Sequence, residues 1–194
     1  MRPKLSLQGR ALALLALREH SPSELRRKLH RHARAEAVQA AVAAVAAAAS
    51  PFDAPDEAAL AEAADSIDEA AVAARLDTLI DWLRAHNYLS EQRFIESRVH
   101  VRASRYGQMR IRQELAQHGL TLGGDAAQAL RTSEYERAAE VLARKFPQAP
   151  VTAAERARQA RFLAGRGFAA DVVARLIRRR EDRRPVDDGD DSAA

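Results

Sequence analysis

Imidazole is a common metal ligand and general base near neutral pH, so the six histidines, His20, His30, His32, His86, His100 and His118, are the first candidates for chemistry. None stands in an HExxH pattern or beside a carboxylate at ligand spacing. His30 and His32, two residues apart, would point about 200° apart on a helix. The chain has no cysteine, which excludes thiolate metal centres and disulfides. Ser21, Ser23, Ser66, Ser90 and Ser97 lack a base partner, and Asp65 and Asp68 lie in an acidic stretch with no pocket around them. No GxxxxGK[ST] loop is present, and none of the eight glycines forms a GxGxxG turn between a strand and a helix. The expectation is a protein that is not an enzyme, with no catalytic residue, no metal and no cofactor.

What remains is arginine chemistry. Arg98, Arg102 and Arg105, spaced by four and three, form one stripe along a helix that begins at Ser90 or Glu91. Arg110 and Arg112 follow on the next helix, roughly 160° apart around its axis. Arg175, Arg178, Arg179 and Arg180 close the last helix, opposite Val172, Val173, Leu176 and Ile177. Guanidinium forks match phosphate and carboxylate alike, so spacing leaves both nucleic acid and an acidic protein surface open as partners. Arginines beside an apolar face also snorkel without binding anything. Trp82, flanked by Leu79, Ile80 and Leu83, reads as core packing rather than a stacking platform for a base.

The net charge of +4 hides segregation: the running balance is +7 over residues 1–35, −9 over 36–81, +10 over 82–186 and −4 over the last eight residues. A basic body of this kind suits a polyanion or an acidic protein surface. Residues 11–17, ALALLAL, are too few to span a bilayer and no cleavage signature follows them. A soluble, cytoplasmic protein is expected.

The elements that must position these arginines are helices, because Ala, Leu, Arg and Glu dominate while aromatics make up 5% of the chain. SPSELRRKL places Ser21 at an N-cap, Pro22 at the first helical position and Glu24 three residues after the serine. Leu25, Leu29 and His32 then share one face. Shifting by 86 residues lays this helix over Ile111 to His118, and a further 48 residues sets HGL, residues 118–120, over RGF, residues 166–168. Glycine there supplies a left-handed C-cap and the next apolar residue packs back on the last turn. His32, His86 and His118 are expected in last turns, where imidazole interacts with the helix dipole.

Each copy has a helical neighbour on either side, giving three modules of three helices that stack through shared apolar faces. The boundaries fall at residues 1–89, 90–132 and 133–180. The first module is interrupted by an Ala-rich, acidic insertion over about residues 33–71; in residues 33–74, 21 of 42 are alanine. Val38, Val42, Val45 and Ala49 on one side of SPFDAP, and Leu60, Ala64, Ile67 and Ala71 on the other, predict a helical hairpin, with an acidic linker as the competing reading. Residues 181–194 are expected to form a disordered acidic tail.

In this order and spacing, ALALLALREHSPSELRRKL, LIDWLRAHNYLSEQRFIESRV with YGQMRIRQELAQHGL, and ARQARFLAGRGFAADVVARLI make the chain resemble the RecX family, bacterial modulators of the RecA recombinase. The resemblance covers residues 10–32 and 72–180. It implies an all-α, elongated array of three tandem three-helix repeats. It also implies a non-enzymatic regulator in DNA repair and the SOS response, which binds RecA and its filament on single-stranded DNA. Such a regulator restrains strand exchange, ATP hydrolysis and coprotease activity. Weak direct DNA binding goes with it, and the rival expectation is a helical-repeat protein that binds nucleic acid directly. A monomer is expected, with Arg98, Arg102, Arg105, Arg110, Arg175 and Arg178 as contacts to RecA or DNA.

Overall fold

The computed structural model describes residues 5–48 and 56–182. Among these there are ten helices and no strand: α1 Leu7–Leu17, α2 Pro22–Ala48, α3 Glu57–Asp65, α4 Glu69–Ala85, α5 Glu91–Ala103, α6 Gln108–Gln117, α7 Gly124–Thr132, α8 Glu134–Lys145, α9 Ala153–Ala164 and α10 Ala170–Asp182. The all-α expectation therefore holds. None of the described helices is long and apolar enough to cross a membrane. The chain divides into two compact units, residues 1–94 and 95–194.

In the first unit, Leu7 and Ala11 of α1, Leu25, Leu29 and Ala33 of α2, and Val72, Leu76, Ile80 and Leu83 of α4 form one buried core with Leu89. The spacings of three and four put each set on one helix face, and each buried leucine or isoleucine contributes about 1.5–3 kcal/mol. Ser21 caps α2 by accepting the Glu24 N–H at 3.1 Å. Ion pairs Arg26–Asp77, Arg34–Glu69 (2.8 Å) and Glu36–Arg75 (2.5 Å) run along the α2–α4 flank. Exposed pairs add little energy each, so they serve to set which turn of α4 faces which turn of α2.

The structure corrects the expectation for His32. It lies well inside α2, which continues to Ala48, because no glycine or asparagine follows it and alanine propagates the helix at least cost. Beyond it, α2 packs against both α3 and α4, and Val38, Val42, Val45, Leu60 and Ile67 are half-buried. The SPFDAP segment and the residues beyond Asp182, expected as a disordered acidic tail, lie outside the described residues.

In the second unit, Ala138, Val141 and Leu142 of α8, Leu163 of α9, Phe168, and Val172, Val173, Leu176 and Ile177 of α10 form a second core. Ile111, Leu115, Leu120, Leu122, Ala127 and Leu130 are buried along α6 and α7. Thr152 and Glu155 close a capping box at the start of α9.

One C-terminal cap recurs three times. Leu120 donates to the Leu115 carbonyl (3.0 Å) and Gly119 to Ala116 (2.9 Å); Phe168 and Gly167 repeat this on Leu163 (3.3 Å) and Ala164 (2.9 Å), and Tyr88 and Asn87 on Leu83 (2.9 Å) and Arg84 (3.0 Å). Gly119, Gly167 and Asn87 carry the left-handed φ of 73°, 78° and 59° that this Schellman arrangement requires. His118, Arg166 and His86 occupy the residue just before, which places His86 and His118 at the C-caps of α4 and α6.

Candidate polyanion-binding cleft

In the second unit the turn between α5 and α6, residues 104–107, is held by two arginines of α8. Arg137 donates Nη1 to the Ala103 and Tyr106 carbonyls (2.9 Å each) and Nη2 to the Leu130 carbonyl at 2.7 Å, while its Nε donates to Ser133 Oγ at 3.2 Å. Burial lowers the Arg137 pKa and the nearby Glu134 carboxylate opposes that; guanidinium stays charged regardless. Arg144 donates Nη2 to the Ser104 carbonyl at 3.1 Å.

The start of α6 is closed from outside its own sequence. Gly107 at its N-cap has no side chain to offer, and the buried Glu134 carboxylate accepts the Gln108 N–H at 2.9 Å. Met109 donates to the Gly167 carbonyl (3.1 Å) and Gly107 to the Arg166 carbonyl (3.0 Å). This backbone-to-backbone approach needs both glycines. A Cβ on Gly107 would stand 2.2 Å from the Gly167 oxygen, and one on Gly167 would stand 2.6 Å from Arg110.

The joint brings the end of α9 beside the α5–α6 turn. Ser104, Arg105, Tyr106, Val141, Arg144, Lys145, Phe162 and Arg166 then line an open cleft of about 380 Å³. Four of the eight are cations and none is a carboxylate. Arg144 approaches Glu140 at 3.9 Å; Arg105, Lys145 and Arg166 have no carboxylate within ion-pair distance among the described residues. The Arg166 guanidinium stacks 4.3 Å over the Phe162 ring, and its Nε is buried with no hydrogen-bond partner among the described residues. A concave wall of one sign strengthens the local field, and guanidinium and ammonium groups pair with phosphate or carboxylate alike.

Of the six arginines singled out by spacing, one lines this cleft. Arg105 does, exposed at its rim. Arg102 donates Nε to Glu114 at 2.9 Å and, like Arg110, sits 5.6 Å from the centre of the Tyr106 ring. Arg98 is half-buried on α5. Arg175 lies 4.7 Å over Tyr135, and Arg178 is exposed on α10. Spacing does not single out Arg144, Lys145 and Arg166 because two of them end α8 and the third lies in the turn after α9, more than twenty residues on. The available signal was the glycine of RGF, whose close approach to Gly107 assembles the cleft. Trp82 is half-buried against the first core, stacked on His86 at 4.2 Å and Tyr88 at 5.7 Å.

The model of the second three-helix domain of RecX matches residues 90–121, and that of the third matches residues 132–177. A regulatory protein RecX from Leptothrix cholodnii is 41% identical over 179 residues, covering 91% of this chain and 90% of the relative. The chain belongs to the RecX family. Another RecX, from Ralstonia nicotianae, is 41% identical over 193 residues, 98% of this chain and 96% of its own length, and one from Ectopseudomonas mendocina is 37% identical over 179 residues. The matched segments place α5 and α6 in the second RecX domain and α8 and α9 in the third. The cleft in this RecX family member is thus built from residues of both. RecX proteins carry the name of regulators, and the three-helix domain is their repeated element.

Proposed function

We propose that this chain binds the RecA recombinase on its single-stranded DNA filament and restrains ATP hydrolysis, strand exchange and coprotease activity, acting as a cytoplasmic monomer without catalysis of its own. The observation that carries the reading is the 41% identity to a regulatory protein RecX across nine-tenths of both chains. The physical side of the proposal is multivalency. Stacked three-helix domains touching neighbouring filament subunits gain effective concentration from individually weak contacts, and bias the filament only by binding one of its states better than another. Arg98, Arg102, Arg105, Arg110, Arg175 and Arg178 are the proposed contacts, and the cleft adds Arg144, Lys145 and Arg166 to them.

RecA ATPase on single-stranded DNA, with this protein titrated in, tests the reading. Inhibition well below one protein per RecA is expected; inhibition only at amounts that saturate the DNA would replace it with direct competition for nucleic acid. Replacing both Arg105 and Lys145 by Glu should weaken inhibition with the far-UV circular dichroism unchanged, since neither side chain forms an ion pair among the described residues. Full inhibition by that variant would remove the cleft from the contact surface.

A further inference from the structure

The cleft gathers its positive charge into a small volume. Arg105, Arg144, Lys145 and Arg166 line about 380 Å³ beside the rings of Tyr106 and Phe162, with no carboxylate in the lining. The one ion pair that any of the four makes among the described residues is the long Arg144–Glu140 contact of 3.9 Å, between exposed side chains. Three of the four are held by their surroundings. Arg144 donates Nε to the Glu140 carbonyl at 3.3 Å and Nη2 to the Ser104 carbonyl at 3.1 Å, and Arg166 lies 4.3 Å over Phe162. Arg105 is carried on the turn that Arg137 pins through the Ala103 and Tyr106 carbonyls. Cations fixed around one concavity repel one another, so the anion that gains most is one whose own charge is equally concentrated.

Anions differ in that respect. A nucleic-acid strand brings one charge per nucleotide, and an acidic peptide at most one per residue, about 3.3–3.6 Å of extended chain. Either spreads its charge along a chain that mostly lies outside a site of this size. An oligophosphate carries charge on each of several directly bridged phosphate groups, and the cleft volume falls within the roughly 300–1,000 Å³ of small-molecule sites. Tyr106 and Phe162 add apolar surface beside the cations, where a sugar or base can rest. We propose that the cleft is a binding site for a compact oligophosphate, carried by a nucleoside triphosphate or free as tripolyphosphate, held by Arg105, Arg144, Lys145 and Arg166. Binding needs no RecA, so the inference does not rest on the regulation of RecA, and its failure would leave that reading standing.

Isothermal titration of the full chain with ATP, AMP, tripolyphosphate and a thymidine oligomer, in low salt without magnesium, tests it. ATP is expected to bind at least about tenfold more tightly than AMP, and more tightly than the oligomer at equal phosphate concentration. Its largest amide shifts should fall on Arg105, Lys145 and Arg166. ATP binding tighter than tripolyphosphate assigns the site to a nucleotide, and equal binding assigns it to the oligophosphate chain alone. Arg105→Glu with Lys145→Glu should weaken ATP at least about tenfold with circular dichroism unchanged. Arg112→Glu with Arg131→Glu, both exposed outside the cleft in the same unit, makes the same change in net charge and should weaken it less than about twofold. Equal losses in the two variants, or ATP no tighter than AMP, overturn the proposal. So does tighter binding of the oligomer, since the cleft would then follow a strand.

Discussion

Gly107→Ala isolates the contact on which the cleft depends. The backbone at Gly107 has φ −76°, which any residue adopts, so the substitution carries no conformational penalty there. Its cost is steric: the new Cβ would lie 2.2 Å from the Gly167 oxygen, 2.3 Å from the Gly167 carbonyl carbon and 2.3 Å from the Phe168 nitrogen. All three are backbone atoms that no rotamer change can move. Relief requires the two segments to part, which breaks the Gly107-to-Arg166 and Met109-to-Gly167 hydrogen bonds. Two such bonds are worth about 2 kcal/mol net, and overpacking costs about 1–3 kcal/mol, so a loss of roughly 3–5 kcal/mol is expected. Gly119→Ala is the control. Nothing stands within 4 Å of a Cβ there, and its positive φ of 73° alone sets a cost of about 1–2 kcal/mol. Native-state amide exchange at Met109 and Ile111, with urea unfolding followed alongside, measures both. If Gly107→Ala proved no more destabilising than Gly119→Ala, the close approach of the two segments would be refuted.

The first unit should lose stability in acid. Burial pushes the Glu24 carboxyl up, but the Arg18 hydrogen bond and the neighbouring charges of His20, Arg18 and Lys28 outweigh it and hold it at about 2. A depressed carboxylate stabilises fully above its unfolded value near 4.5, and that contribution, about 2 kcal/mol after allowing for exposure of Arg18 and Lys28, disappears between about pH 4.5 and pH 2. Burial lowers the His20 pKa despite the Arg18 carbonyl that accepts from its Nδ1–H, so His20 favours the fold above its unfolded value of 6.5 and weakens it as pH falls through the lower folded value. Urea midpoints followed by Trp82 fluorescence should drop with falling pH below 6.5, with the lower step absent in Glu24→Gln. Arg137→Lys, which puts one ammonium where a guanidinium serves three carbonyls, should cost about 2 kcal/mol and speed amide exchange in the 104–108 turn. Glu134→Ala should unprotect the Gln108 amide and cost about 1–2 kcal/mol, with Glu134→Gln partly restoring it; a protected Gln108 amide in the alanine variant would refute the remote cap.

The all-α fold, the start of α2 and the glycine caps are legible because apolar residues recur at helical spacing and Ser21, Gly119 and Gly167 punctuate them; the capping box of Thr152 and Glu155 is not singled out. The Asn87 cap was missed: asparagine tolerates the left-handed region less often than glycine, so nothing in NYL marked it as the counterpart of HGL and RGF. His32 was misplaced for the converse reason, a repeat alignment assigning a cap to a site with no residue able to form one. The arginine stripe illustrates a deeper limit. Helical spacing fixes direction around one axis, but the use of an arginine depends on which carboxylate, ring or carbonyl the other helices bring to it. Glu114 claims Arg102 and Tyr135 lies under Arg175, while Arg144, Lys145 and Arg166, unremarkable in sequence, converge through the Gly107–Gly167 joint.

The repeat also shows what sets apart the copy whose cap lines the cleft. The residue before the left-handed position is His86, His118 and Arg166 in the three caps, each suited to the negative end of its helix. The space around a Cβ at Gly119 is open, whereas a Cβ at Gly167 would meet Arg110 of α6, and beside that close approach Arg166 lines the cleft with Arg105 and Tyr106. Arg166→His therefore separates the two roles. The imidazole keeps the dipole interaction and the backbone cap, so the urea midpoint should shift by less than about 1 kcal/mol in stability, while the guanidinium over Phe162 is lost and with it one of the four cations. Inhibition of RecA ATPase should weaken several-fold without loss of helix. If stability fell steeply and binding tracked it, Arg166 would be a packing residue, and the cleft would have to be rebuilt around Arg105, Arg144 and Lys145 alone.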